Sequence, residues 1–161
     1  MIDVNSLLDH FTYELNRKLR EKVASDRDLA LFCRTSEANI LFYKNGDRLP
    51  NPWYLVLIAE YFECTVNEML GLGSSHSMRR SYDKASETFS SRYPFEVYLS
   101  NNIKSRMNEI GIDDITLSNY SGVHVNTIRI WTGNHPRLPR ITQFICICDA
   151  LDCTPTDLLG Y

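Results

Sequence analysis

The stretch Ser121–Asn134, SGVHVNTIRIWTGN, decides how the chain is read. A serine and a glycine at its head favour a turn, Val123, Ile128 and Trp131 lie where a short helix would meet a core, and Gly133 closes the segment. Trp131, three residues after Ile128, reads as core rather than as a residue for stacking on a base. Ser118 and Gly122 are small, which lets the helix cross its predecessor closely. The opposite face, with His124, Val125, Asn126, Arg129 and Ile130, is left outside.

Working outward, the same pattern occurs twice. Leu29, Ile40 and Tyr43 align with Leu117, Ile128 and Trp131 at one constant spacing. After a one-residue insertion in the following turn, Leu49-Pro50, Ile58, Cys64-Thr65 and Leu70-Gly71 align with Leu138-Pro139, Ile147, Cys153-Thr154 and Leu159-Gly160. Two copies of one all-helical module are therefore expected, over residues 1–73 and 95–161. The serine-rich segment 74–94, with Arg79-Arg80 and a closing Pro94, reads as a linker.

Each module reads as five short helices. Ser25–Asp28, Thr65–Glu68 and Thr154–Asp157 each place a hydroxyl at the N-cap and a carboxylate three residues on. Pro155 occupies the first helical position, where its missing N–H is harmless. Gly46 and Gly133 are expected to end helices in the left-handed conformation. Leu15/Leu19 and Ile103/Met107, then Leu55/Ile58/Phe62 and Phe144/Ile147/Leu151, supply the inward faces.

Composition narrows the function classes. A chain of 161 residues accommodates one ordinary domain or two very small ones, and 43% hydrophobic with 23% charged residues places it among globular proteins. No apolar run approaches the roughly 20 residues of a membrane span, and the N-terminus lacks a basic leader, so no membrane and a cytoplasmic location are expected. The five cysteines form no zinc pattern and read as buried thiols. No phosphate-cradling glycine loop, HExxH or nucleophile elbow occurs, and His10, His76, His124 and His135 have no metal spacing. Neither catalysis, a cofactor nor a metal is expected. The net charge of −3 weighs against a polyanionic partner, but weakly, since a groove-reading helix needs cations only near its contact.

Over about residues 99–160 the second module resembles the helix-turn-helix family of lambda-type phage repressors and Cro proteins, the XRE-like family. The resemblance rests on Ile103-Lys104, Gly111-Ile112, Leu117-Ser118, Gly122-Val123, Asn126-Thr127-Ile128, Trp131, Gly133, Pro139 and Leu151 through Leu158-Leu159-Gly160. It implies two tandem five-helix, lambda-repressor-like domains and a double-stranded DNA partner, with the third helix of the second domain in the major groove. Asn126 could pair with adenine, Val125 or Ile130 could touch a thymine methyl, and Arg129 could reach guanine or a phosphate. Arg137 and Arg140 would flank the groove as phosphate contacts. Bland alternatives are a capping Asn126 and solvated arginines. The family often places a glutamine at the head of the second helix to hold a phosphate; Asp26 and Asp114 stand there instead, and a carboxylate repels a phosphate.

The first module, over 11–72, matches less well. Its third helix would turn Glu37, Ala38, Leu41 and Phe42 outward, leaving Lys44 and Arg48 as weaker DNA contacts. In its fourth helix Trp53, Leu57 and Tyr61 form a second apolar stripe beside the inward one. With Leu41 and Phe42 this stripe is a candidate protein interface, toward the other module, a second copy of the chain or another protein. A sequence-specific, repressor-like regulator is the leading expectation. The alternative is an interaction module, inhibitor or anti-repressor that keeps the fold without reading DNA, with an antitoxin as a third possibility.

Overall fold

The computed structural model describes residues 3–73 and 83–161 and, among these, is all-helical. The first run comprises α1 (Val4–Glu21), α2 (Asp26–Cys33), α3 (Glu37–Lys44), α4 (Pro52–Tyr61) and α5 (Val66–Leu70). A one-turn helix, α6 (Ala85–Thr88), precedes α7 (Arg92–Ile110), α8 (Asp114–Ser121), α9 (Val125–Thr132), α10 (Ile141–Ala150) and α11 (Pro155–Leu159). None of these helices is long and apolar enough to cross a membrane.

Local chemistry sets the boundaries. Ser25, Thr65 and Thr154 each accept from the backbone N–H three residues on, while Asp28, Glu68 and Asp157 reach back to the cap's own N–H. Bonding to the Ser25 hydroxyl, then to its backbone N–H, holds the Asp28 carboxyl below its ordinary pKa. Positive φ falls at Val23, Arg34, Glu63 and Gly71 in the first run, and at Gly111, Gly122, Asp152 and Gly160 in the second. These four positions of each run fall in the same register, even where one run carries glycine and the other a residue for which that conformation is uncommon; left-handed Gly46, as expected at the end of α3, has no counterpart in the second run.

Two glycines differ from expectation. Gly133 is extended, at φ −83° and ψ −172°, rather than left-handed. A Cβ there would lie 2.8 Å from the Arg129 carbonyl oxygen, so close approach, not handedness, calls for glycine. At Gly122 a Cβ would meet nothing within 4 Å, so helix crossing does not require it; its φ of 70° does.

Leu15, Leu19, Leu29, Ile40, Tyr43, Leu55 and Ile58 are buried, as are Ile103, Met107, Leu117, Ile128, Trp131, Phe144, Ile147 and Leu151. Phe62 is half-buried. The segment read as a linker is more structured than expected. Residues 74–82, with His76 and Arg79-Arg80, lie outside the described residues, but α6 and the first turn of α7 fall within 83–94. Pro94 sits in that first turn, where it removes no intrahelical hydrogen bond.

Burial drives this ordering. Ala85 and Phe89 are buried, and Phe89 packs edge-on against Trp53 and Phe95. The Ser86 N–H and hydroxyl both donate to the Glu60 carboxylate, and Arg34 donates to the Ser90 carbonyl at 2.8 Å. The stripe on α4 is therefore not an open surface: Trp53 and Leu57 are buried, and α6 packs against α4. Tyr61, half-buried, packs on Phe32 beneath the Lys22 ammonium. Leu41 and Phe42 remain exposed on α3, apart from the covered stripe.

Candidate nucleic-acid interface

The turn between α8 and α9 is built by serine hydroxyls. The Ser118 hydroxyl donates to the Val123 carbonyl at 2.7 Å, and Ser121 accepts from the Val123 N–H at 3.2 Å while donating to the Leu117 carbonyl. At the head of α8, Asp113 caps the helix, and the Thr116 N–H it accepts holds its carboxyl below the usual range. Val123, Ile128 and Trp131 then pin α9 to the core.

This fixes what α9 presents. His124 is its N-cap, with Nδ1 accepting the Asn126 N–H at 3.2 Å. His124, Asn126, Arg129 and Ile130 are exposed and Val125 is half-buried. The cap belongs to His124, so the Asn126 amide is turned to solvent with no side-chain hydrogen bond among the described residues. An amide so placed offers a donor and an acceptor together, the pair that matches an adenine edge. Ile130, 51% exposed, supplies an apolar surface beside it.

Arg129 is not a free cation. Its Nε lies 3.5 Å from Asp114, which answers the question raised by a carboxylate at the head of the second helix: the charge is partly neutralised by the next helix. Asp26 is treated likewise, at 2.8 Å from Lys44. Lys44 is therefore engaged by Asp26. Arg48 donates to the Asn39 side chain and stacks over the Phe42 ring at 4.7 Å. Both are poor phosphate ligands in this geometry.

Arg137 and Arg140 are placed differently. Both are exposed in and after the turn from α9 to α10, and neither has a hydrogen-bond or ion-pair partner among the described residues. That turn is anchored by buried Glu96, which accepts from the Leu138 N–H at 3.3 Å and from Arg92 at 2.8 Å. Sequence reasoning passed over Glu96. Its i,i+4 spacing from Arg92 is visible, but its bond to a turn 42 residues away is not. Asn126, Arg129, Arg137 and Arg140 thus lie on α9 and the turn that follows it.

The α3 surface has other chemistry. Glu37, Ala38, Leu41 and Phe42 are exposed where α9 carries Val125, Asn126, Arg129 and Ile130. It offers base edges no paired donor and acceptor.

Residues 102–161 match the family model of the Cro/C1-type helix-turn-helix DNA-binding domain. No curated protein and no solved structure matches the chain.

Proposed function

We infer that the chain is a sequence-specific, repressor-like DNA-binding regulator built from two tandem helix-turn-helix modules, with α9 as its reading helix. The Cro/C1-type match over 102–161 supports DNA as the partner. The observation that carries the choice of helix is the exposed Asn126 amide, spared from capping by His124, on the helix that carries Arg129 and runs into the turn with Arg137 and Arg140. Tandem modules are supported by the α5 capping box that recurs at α11, the side-chain N-caps of α2 and α8, and four left-handed positions of each run that fall in the same register. The role is binding rather than catalysis, with no metal or cofactor, and a DNA partner implies the cytoplasm. Occluding a site on DNA is the mechanism such a chain would use.

Protein interaction is the second reading, favoured by Leu41 and Phe42 at 49% and 45% exposed on α3. Salt-titrated binding to a duplex selected from a random pool separates the two. A regulator binds the selected duplex at least a thousand-fold more tightly than random duplex at physiological salt. Replacing both Arg137 and Arg140 with Ala lowers the salt slope by about two. Weak, equal binding to all duplexes supports the interaction module instead.

A further inference from the structure

We propose that one chain is a complete DNA-binding unit, a dimer in a single polypeptide, so that one copy occupies one site and the sequence it reads is asymmetric. The proposal rests on the DNA-binding reading above. Its motivation is the contact between α5 and α11. The Asn67 N–H donates to the Thr156 hydroxyl at 3.0 Å, and the Thr156 N–H donates to the Asn67 side-chain oxygen at 3.0 Å. The separation of 89 residues is the register that aligns Thr65 with Thr154 and Gly71 with Gly160. Each residue therefore bonds its own counterpart.

Such reciprocity is the mark of a two-fold contact between identical subunits. Here it is made within one chain. Asn67 and Thr156 are second residues of their helices, whose N–H groups have no intrahelical acceptor, and each is satisfied by the other helix. A third bond, from the Val66 N–H to the Tyr161 carbonyl at 3.4 Å, has no mirror image, because Pro155 stands where Val66 would recur and has no N–H.

Both residues are 0% exposed, so this self-complementary surface is already consumed and no second copy can use it. The α4 stripe is covered by α6, and its counterpart positions on α10 are Thr142, Cys146 and Ala150, too polar or small to build an apolar interface, so of the candidate apolar interface only Leu41 and Phe42, on α3, stay open. One chain then brings one polar reading face, on α9, and one apolar face, on α3. A pair of identical subunits reads a palindrome; this pair is not identical where reading occurs.

The test is selection of duplexes from a random pool by the full chain, followed by the mass of the complex formed with the enriched duplex. The expected result is a single block of preferred bases without an inverted copy, and one chain per duplex. A palindromic motif carrying two chains would overturn the proposal while leaving the DNA reading intact. Absence of any enriched motif would overturn both.

Discussion

Asp114 shows how far a single residue could be read in advance. Sequence alone places a carboxylate where a phosphate is expected and sees only repulsion; the structure sets Arg129 3.5 Å away, a pairing across two helices that no local spacing announces. The ion pair is partly exposed, so it is worth little in stability, and its importance lies in what it does to Arg129. Asp114→Asn should raise affinity for random duplex about two- to five-fold, the scale of one surface ion pair. Fluorescence anisotropy at low salt checks this. A fall in affinity for the selected duplex alone would mean instead that Asp114 holds Arg129 in its reading position. His124 was legible as an outward residue but not as the cap, since histidine is outside the usual N-cap set.

At the scale of elements, the capping boxes at Ser25, Thr65 and Thr154 were fully legible, because a cap is decided by residues three apart. Asp28, with its folded-state pKa lowered chiefly by the Ser25 hydroxyl, contributes stability above the ordinary carboxylate range, and that contribution is lost as pH falls through the folded value. Ser25→Ala should therefore flatten the decline of thermal stability as pH falls through and below the ordinary carboxylate range. An unchanged slope in acid thermal melts would show that Asp28 gains nothing from the cap. α6 was not legible: it has no side-chain cap and exists because Ala85 and Phe89 have the α4 stripe to cover. Tertiary burial makes that helix, and a pattern of serines conceals it. Leu57, 1% exposed, tests the covering directly. Leu57→Lys should cost about 3 kcal/mol or more, whereas Cys146→Lys at the exposed counterpart should change stability by less than about 0.5 kcal/mol. Denaturant unfolding of the two variants distinguishes a buried stripe from an open one.

For the whole molecule, the matching spacing of apolar and turn residues in the two runs was visible in sequence because helix spacing and turn lengths are local, while the way the two runs meet was not. Nothing in Asn67 or Thr156 marks them as counterparts until the chain is folded, and the segment after residue 82 read as a spacer although it packs on α4. The charge of −3 is equally uninformative at this scale: Lys44 and Arg48 of the first run are engaged within it and Arg34 by the Ser90 carbonyl, while Arg137 and Arg140 in the second stay unpaired among the described residues. The central claim is that α9, through Asn126, reads bases. Its most direct test is to compare the base preferences selected by the native chain with those selected by Asn126→Ala, position by position. The account predicts that one adenine preference is lost, worth about 1–3 kcal/mol, with neighbouring preferences kept; an identical motif for both chains, or one altered instead by Leu41→Ala, would contradict it.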